Sequence, residues 1–371
     1  MEVPVAIVGG GVVGLGAAWA LGRRGVRTAV LDPLPRRTDH NASNDESKIF
    51  RLAYADQAHY SRLALRSLGL WRQLERDARR PVMEPTGLLL LGRGPGTYAR
   101  RTAPTLAAIG RQPGVLDAAD LARAHPAFAA GGFDHAVLDR DAAAMEPAAV
   151  LESLEAEATA HRAKIFRGAR VLAIEDQTGA VDVRIDAGVI RAERVIVAAG
   201  YRAPWLLPEL APLLRVTRQP EFAFAADGPS WQPPAFPIFA ALEDGMYGFP
   251  SRRGAVKVAD HRSGRAEPWE PARDPPALEE EQGVRRWLAS HVPALGDAPL
   301  ARSRLCHYDR TPDEDFLLGA HPQRGRVLLA GGFSGHGFKF APAVGEALAD
   351  WVEGRAPDKD WACCDPARLL R

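Results

Sequence analysis

The stretch Val5-Ala6-Ile7-Val8-Gly9-Gly10-Gly11-Val12-Val13-Gly14 lies near the start of the chain and decides the fold of the region around it. Its four leading apolar residues, bounded by glycine, predict a short buried strand. Gly9, Gly11 and Gly14 have the G-x-G-x-x-G spacing in front of a helical pattern from Leu15 to Arg24. Glycines so spaced allow a tight turn, a close approach of the backbone to a pyrophosphate, and packing of the helix on the strand.

A carboxylate completes this pattern. A second strand, Arg27 to Leu31, leads into Asp32, which stands 18 residues beyond Gly14, where an acid binds a ribose hydroxyl. The N-terminal amides of the helix that follows the glycines would face the phosphates. The pattern predicts a dinucleotide-binding α/β unit, with a ligand-free glycine turn as the alternative, and it does not separate NAD from FAD.

Composition narrows the function. The 371 residues include 47 basic and 46 acidic side chains, for a net charge of +1, without a long run of either sign. A nucleic-acid or membrane-surface partner needs such a charged patch, so we expect neither, and a small or zwitterionic substrate fits better. No apolar run is long enough to span a bilayer and no signal peptide precedes the first strand, so we expect a cytoplasmic protein. We also expect it to be a monomer.

The cysteines and histidines predict no metal site. Cys306, Cys363 and Cys364 have neither the spacing of a disulfide framework nor that of a zinc site. The ten histidines include no H-x-x-x-H or H-E-x-x-H pattern. We therefore expect no metal and no disulfide framework.

Periodicity predicts the remaining elements. Helices are expected at Gln57–Arg79, Tyr98–Ile109, Asp117–His125, Pro147–Arg162 and Ala277–His291, and short strands over most of 164–200 and 215–260, with a turn at Tyr247–Pro250. Pro33–Ser47 is predicted to be a functional loop and Glu267–Pro276 a proline-rich connection. Near the C-terminus the strand Arg326–Gly332 precedes a glycine turn and a helix, Ala341–Val352, so both ends of the chain are predicted to contribute to one cofactor site.

Nearly the whole chain resembles the monomeric sarcosine oxidases, within the larger group of FAD-dependent amine and D-amino-acid oxidases. Besides the N-terminal glycines, the resemblance rests on these motifs: Ile49-Phe-Arg-Leu-Ala-Tyr54, Leu63-Ala-Leu-Arg-Ser67, Tyr247-Gly-Phe-Pro250, Cys306-His-Tyr308, Thr311-Pro-Asp-Glu314 and Gly332-Phe-Ser-Gly-His-Gly-Phe-Lys339.

The resemblance implies an α/β fold with two domains. The FAD-binding nucleotide fold, with a parallel sheet, helices and a β-meander, is expected to comprise residues 1–85, 145–215 and 300–371. The inserted substrate domain, with a mixed β-sheet, is expected to comprise 86–144 and 216–299. The implied reaction oxidises a secondary amino acid to an imine that water hydrolyses, and O2 is reduced to H2O2. A dehydrogenase with another electron acceptor is the alternative.

The same resemblance implies a set of cofactor contacts. FAD is expected to contact Gly9, Gly11, Val12, Val13, Gly14, Asp32, Lys48, Cys306, Gly332, Gly335, His336, Gly337, Phe338 and Lys339. Cys306 stands 33 residues before Lys339 and is implied to carry the flavin covalently. Judged by its residue type alone, Cys306 would be a buried and inert thiol.

A second set of residues is implied to bind and oxidise the substrate. Arg51 and Lys339 are implied to hold its carboxylate, because a guanidinium and an ammonium supply charge-assisted donors. The implied catalytic residues are Lys48, Tyr247, Lys257, His261 and Tyr308, of which Lys257 assists oxygen reduction. For single residues the alternatives are surface charges, half-buried core tyrosines and a surface histidine.

The chain departs from the sarcosine oxidases at two positions. Asn44 and Lys48 stand where those enzymes have histidine and arginine. The segment Ser47-Lys-Ile-Phe-Arg51 instead resembles the fructosyl amino acid and saccharopine oxidases of the same superfamily. Lysine keeps the positive charge but lacks the planar fork of arginine, so we expect a different placement of the substrate.

Overall fold

The computed structural model describes residues 1–34, 42–262, 264–268 and 274–370. Residues 35–41 of the predicted loop and 269–273 of the predicted connection lie outside the described residues. The strands are β1 Glu2–Val8, β2 Thr28–Asp32, β3 Lys48–Phe50, β4 Met83–Pro85, β5 Leu88–Gly92, β6 Gly114–Asp117, β7 His135–Asp139, β8 Ala143–Met145, β9 Lys164–Arg167, β10 Val171–Gln177, β11 Ala180–Ile185, β12 Gly188–Val197, β13 Arg215–Ala225, β14 Ile238–Ala241, β15 Met246–Gly248, β16 Ala255–Asp260, β17 Ala266–Glu267, β18 Leu300–Arg310, β19 Leu317–His321 and β20 Arg324–Gly331. The α-helices are α1 Val12–Arg23, α2 Ala58–Asp77, α3 Tyr98–Ala108, α4 Ala118–Ala124, α5 Pro147–Ala160, α6 Ala203–Leu206, α7 Leu278–His291, α8 Pro293–Gly296 and α9 Ala341–Val352.

The N-terminal strand lies inside an eight-stranded sheet. Strands β20, β12, β1, β2 and β9 run parallel in that order, and β10, β11 and β19 join as antiparallel strands. In the parallel part both faces are covered, which is why the strands read as apolar runs without alternation. The predicted α/β fold with a parallel sheet is confirmed.

Helix α1 is buried along almost its whole length. Every residue from Val12 to Gly22 is buried, because α1 packs between β2, α5 and α9. Glycines permit this crowding: a Cβ added at Gly345 of α9 would lie 2.4 Å from the Gly16 carbonyl oxygen. The two strand-glycine-helix units at opposite ends of the sequence therefore pack against each other.

A nine-stranded mixed sheet forms the second layer. Its order is β17-β13-β16-β15-β14-β5-β7-β6, and β18 also pairs with β13. The β18–β13 pairing is antiparallel and extends from Arg215 opposite Arg310 to Phe224 opposite Leu300. Strand β18 carries Cys306 and Tyr308 along this sheet.

A small three-stranded sheet has the order β3-β8-β4. Its strand β3 begins at Lys48, one residue before the Ile49–Tyr54 motif. Helix α2 is amphipathic as predicted, and its apolar stripe includes Leu63, Leu68 and Trp71. Each such side chain contributes about 1.5–3 kcal/mol when it is fully buried.

Two details of the sequence prediction were wrong. The expected turn at Tyr247–Pro250 is partly strand, because Tyr247 and Gly248 lie in β15 and pair with Ala259 and Val258. The strands expected separately around 189–191 and from Arg194 form one strand, β12. None of the helices in the described part of the chain has the length and apolar character needed to cross a membrane.

Candidate active site

A cavity of about 720 Å³, part of it open to solvent, lies where the nine-stranded sheet meets the turn after β20. Residues from β3, β15 and β18 and from the Gly332–Lys339 turn line it together. Nine of the residues implied by the sequence share this one wall: Lys48, Arg51, Tyr247, His261, Tyr308, Gly335, His336, Phe338 and Lys339.

The guanidinium group of Arg51 is held in place by neighbouring groups. Its guanidinium donates to the Tyr98 hydroxyl at 2.7 Å and to the Ala53 carbonyl oxygen, and it lies 4.2 Å from the centre of the Tyr54 ring. The chain beside it is fixed because Ser61 of α2 donates to the Leu52 carbonyl oxygen at 2.7 Å. Arg51 therefore faces the cavity in a defined position.

Lys339 is positioned by the same helix. The Lys339 carbonyl oxygen accepts hydrogen bonds from Ser67 at 2.6 Å and from Trp71 at 2.8 Å. Its ammonium donates to the Tyr54 hydroxyl at 3.0 Å and to the His336 carbonyl oxygen at 2.8 Å. Helix α2 thus orients both cationic residues although it contributes neither.

The charges of Arg51 and Lys339 are uncompensated. Among the described residues, no carboxylate lies within ion-pair distance of either side chain, although 96 % of Lys339 is buried. Burial, together with the positive charges of Arg51 and Lys48, lowers the pKa of Lys339 well below its ordinary value. The cavity is therefore electrostatically suited to an anion.

Aromatic side chains form a further part of the same wall. The His261 ring lies 5.4 Å from the Tyr308 ring and 6.5 Å from the Tyr247 ring, measured between centroids. Burial and the neighbouring cations lower the pKa of His261 to about 3, so its imidazole is neutral near pH 7. Gly335 has φ +80°, and a Cβ there would lie 2.4 Å from the Tyr308 ring, so the close approach of turn and ring requires glycine.

Lys257 lies behind the wall of the cavity. Its ammonium donates to both carboxylate oxygens of Asp45 at 3.0 Å and to the Ser47 carbonyl oxygen at 2.9 Å, and Glu221 is 3.7 Å away. Asp45 and Ser47 face the cavity directly. The sequence predicts that Lys257 lies in a strand between apolar residues, which the structure shows. It does not predict the carboxylate partners of Lys257.

Asp45 also binds the second lysine of the site. Lys48 Nζ is 3.0 Å from Asp45 Oδ2 and 4.0 Å from Cys306 Sγ. Burial opposes ionisation of Asp45, but the ammonium groups of Lys257 and Lys48 outweigh it and lower the pKa of Asp45. Burial raises the pKa of Cys306, and Lys48 acts against that shift. Asp45 is thus the shared counterion of two lysines.

The N-terminal glycines form the cradle that the sequence predicts. Gly9 has φ +110°, and a Cβ there would lie 2.3 Å from the Ala198 carbonyl oxygen. Asp32 is buried at the end of β2, and two guanidinium nitrogens of Arg167 beside it are buried without a hydrogen-bond partner. Crowded glycines before the start of α1 and a buried carboxylate at the end of β2 fit the phosphate and ribose groups of FAD.

The second glycine turn is fixed by Asp309. The Asp309 carboxylate accepts the Gly332 amide at 2.8 Å, and the Asp309 carbonyl oxygen accepts the Ser334 amide at 2.9 Å. A Cβ at Gly337 would lie 2.5 Å from the Phe333 side chain. The turn therefore packs against the end of β18 and delivers His336, Phe338 and Lys339 to the cavity.

Sequence reasoning missed four residues of this site: Tyr54, Asp45, Glu221 and Asp309. Tyr54 could have been found, because it ends a motif that was singled out. Asp45 lies three residues from Lys48 in a polar passage, which gives a weak signal. Glu221 and Asp309 carry no local signal, because only pairing of β13 with β16 and β18 brings them to the site.

Comparison with known proteins gives consistent results. The model of the DAO family, FAD dependent oxidoreductase, matches residues 4–351. The N-methyl-L-tryptophan oxidase of Yersinia pestis (strain Pestoides F) is 28% identical over 376 residues, covering 100% of both chains.

Solved structures agree on the fold. L-proline dehydrogenase from P. horikoshii superposes with a TM-score of 0.87 at 20% identity, over 99% of this chain and 98% of that one. NikD, an unusual amino acid oxidase essential for nikkomycin biosynthesis, superposes with a TM-score of 0.83 at 25% identity, over 100% and 99%. With its glycine cradles and the extent of the family match, the chain belongs to the DAO family of FAD-dependent oxidoreductases.

Proposed function

We propose that this protein is an FAD-dependent oxidase of a secondary, N-substituted amino acid. The observation that carries the proposal is a pair of cations, the half-buried Arg51 and the buried Lys339, in one cavity without a carboxylate partner among the described residues. Burying unpaired charge is costly, so such a pair is retained where a ligand supplies the opposite charge. A substrate carboxylate does so and forms charge-assisted hydrogen bonds with both groups.

The remaining wall suits an apolar part of the substrate. The cavity is also lined by apolar side chains of Ile49, Leu88, Ala240, Leu242 and Phe249. Such a surface accepts an N-alkyl group or an apolar side chain. The name of the Yersinia relative, an oxidase of N-methyl-L-tryptophan, matches this division into a carboxylate end and an apolar end.

The polar aromatic residues orient the amine. Tyr247 donates to Glu221 Oε1 at 3.4 Å, and the His261 ring contacts the rings of both Tyr247 and Tyr308. Because His261 is neutral near pH 7, it can donate or accept a hydrogen bond without adding charge. Arg51, Lys339 and Lys48 together disfavour an ammonium, so the cavity favours the neutral amine, which is the form that can be oxidised.

FAD supplies the two-electron acceptor when bound. The proposed overall reaction takes two electrons and two protons from the C–N bond to leave an imine, and O2 takes them up as H2O2. Lys257 is a fixed cation in a buried setting, where it would stabilise negative charge that develops on oxygen. Water then hydrolyses the imine to a carbonyl compound and an amine.

We also propose a covalent link between Cys306 and FAD. Cys306 is buried in β18, on the strand that carries Tyr308, and Lys48 Nζ lies 4.0 Å from its sulfur. The ammonium favours the thiolate that a thioether bond requires. Such a bond would replace the thiol hydrogen of Cys306 and one hydrogen of a methyl group on the flavin ring. O2 would take up these two hydrogens with their electrons as H2O2. Acid precipitation tests it: a yellow pellet is expected, and Cys306→Ala should release the colour.

A substrate panel with peroxide readout tests the main proposal. Sarcosine, pipecolate, N-methyl, N-carboxymethyl and fructosyl amino acids should be compared with their esters, which lack the carboxylate. We expect peroxide from at least one secondary amino acid and a large loss with its ester. Reduction of the flavin that proceeds without peroxide in air, but with an added dye or quinone, would identify a dehydrogenase instead.

Lys257→Met separates the two half-reactions. The variant should still be reduced by substrate under anaerobic conditions, whereas its reaction with O2 should fall by about 10²-fold if the cation contributes a few kcal/mol. Stopped-flow absorbance follows each step. Reoxidation at the wild-type rate would remove Lys257 from the mechanism.

A further inference from the structure

A second group of chemically reactive side chains lies outside the cavity, where the C-terminal segment covers the start of α2. His59 comes from the first turn of α2, Asp315 from the chain before β19, and Cys363 and Cys364 from the short 3-10 helix Lys359–Cys364. The ligating atoms of His59, Asp315 and Cys363 all lie within 4.8 Å of one another. We call these four residues the Cys363 cluster.

The His59 ring contributes a buried nitrogen to the cluster. Among the described residues Nε2 makes no hydrogen bond of normal geometry, although the ring interacts electrostatically with the Cys363 thiol. Buried polar atoms are nearly always paired, and an exception indicates a bound water or ion. The Asp315 carboxylate and the Cys363 thiol are the neighbouring groups that could complete a site around that nitrogen.

The sulfurs of Cys363 and Cys364 lie side by side. Cys363 Sγ and Cys364 Sγ are 3.7 Å apart. Two thiolates bonded to one Zn²⁺ at about 2.3 Å in tetrahedral geometry lie about 3.8 Å apart. An imidazole nitrogen, a sulfur and a carboxylate oxygen form a set that Zn²⁺ accepts, whereas Mg²⁺ and Ca²⁺ prefer oxygen alone.

The surroundings support ligation. The Tyr60 hydroxyl donates to Asp315 Oδ1 at 2.8 Å, which orients the carboxylate as an outer-shell partner does. Cys363 is half-buried, so a cation can reach it from solvent.

We propose that His59, Asp315 and Cys363, with Cys364 beside them, form a binding site for a thiophilic divalent cation of the Zn²⁺ class. The cation would join the C-terminal segment to α2. Tyr60 lies between this site and the cavity, since its ring is 5.3 Å from that of His336. Binding would release the thiol protons, so affinity should rise with pH.

Cd²⁺ is the first probe, because its thiolate complexes absorb in the ultraviolet. Protein treated with a chelator and a thiol reductant is titrated with Cd²⁺ alone and then with Zn²⁺ as competitor. We expect one Cd²⁺ per chain, a thiolate-to-metal absorption band, and displacement by Zn²⁺. A Cys306→Ala variant should keep the band, which excludes the third thiol as its source.

Matched variants locate the site. Cys363→Ser and His59→Ala should each abolish the stoichiometric binding, whereas Asp313→Asn, two residues before Asp315 and paired with Arg368, should retain it. Tyr60→Phe should keep the stoichiometry and weaken affinity about 10–100-fold. Zn²⁺ should also raise the melting temperature of the wild type but not that of Cys363→Ser.

Three outcomes would overturn the proposal. They are the absence of a one-to-one complex, a band that persists in Cys363→Ser, and a thiol count showing that Cys363 and Cys364 form a disulfide in the reduced preparation. These measurements need no turnover, so they stand or fall independently of the proposed oxidase activity.

Discussion

Arg51 and Lys339 place two cationic side chains in one largely buried cavity, an arrangement that costs the ligand-free protein stability. Their hydrogen bonds go to neutral oxygens of Tyr98, Tyr54 and backbone carbonyls. Hydrogen bonds to neutral groups offset only part of the free energy of dehydrating a charge. Such a pair lowers the stability of the ligand-free protein but enables the protein to bind an anion.

Lys339→Met should show this exchange directly. The affinity for a carboxylate ligand should fall by about 2–5 kcal/mol, while the melting temperature of the ligand-free protein should not fall, because a buried charge has been removed. Calorimetric titration and thermal unfolding measure the two quantities. Lys164→Met, at an exposed position of β9, should change neither. A lower melting temperature with unchanged affinity would assign Lys339 a structural role.

Carboxylate binding should also depend on pH in one direction. The pKa of Lys339 lies well below its ordinary value of 10.5 in the free protein, so raising the pH through that lowered pKa removes its proton. A bound carboxylate favours the charged form, and binding should therefore take up protons and weaken as pH rises. Titrations of an amine-free carboxylate in two buffers with different ionisation enthalpies measure this uptake. Lys339→Met should abolish it, and pH-independent affinity in the wild type would contradict the assignment.

Asp45 is the buried counterion of Lys48 and Lys257, and its loss should be severe. Asp45→Asn leaves two buried ammonium groups without their shared carboxylate, which should cost about 3–5 kcal/mol of unfolding free energy. Glu46→Gln is the matched control, because Glu46 forms a partly exposed pair with Arg302 at 3.1 Å and should cost less than about 1 kcal/mol. Urea unfolding compares them, and equal losses would show that Asp45 is not a counterion.

At the scale of elements, α1 and α9 cross with their backbones in contact. Gly345→Ala places a Cβ 2.4 Å from the Gly16 carbonyl oxygen, and backbone must move to admit it. We expect a loss of about 1–3 kcal/mol, because overpacking strains a close-packed interior. Gly69→Ala on the exposed side of α2 meets no atom within 4 Å and should instead stabilise by about 0.5–1 kcal/mol. Chemical denaturation of both variants distinguishes contact from helix propensity.

At the scale of the whole molecule, both sheets contribute residues to one cavity. Tyr247 and Tyr308 reach it from the nine-stranded sheet, whereas Lys339 comes after the last strand of the eight-stranded sheet. A carboxylate ligand at about 100 times its Kd should therefore add about 2.7 kcal/mol to a single unfolding transition. Calorimetry at increasing ligand concentration tests this. A ligand that shifts only one of two separate transitions would show that the sheets unfold independently.

Local patterns in the sequence determined the elements and their chemistry. The spacing of Gly9, Gly11 and Gly14 between two apolar strands determines a nucleotide cradle, because only that order of turn and helix leaves room for a phosphate. Helix α2 was likewise predicted from apolar residues that recur every three or four positions. These features depend on neighbours within a few residues, so the sequence alone was enough to predict them.

Only the tertiary structure decided how charges are paired. Asp45 and Lys257 are 212 positions apart, and Ser67 and Lys339 are 272 apart, yet each pair is joined by a hydrogen bond. The sequence predicted Lys257 as a buried cation without its counterion. The expectation of no metal rested on the spacing of cysteines and histidines along the chain, and such spacing does not show that His59, Asp315 and Cys363 come together in the fold. Strand pairing and the docking of α2 create these contacts. No local pattern encodes them, because their energy depends on burial and distance in the folded protein.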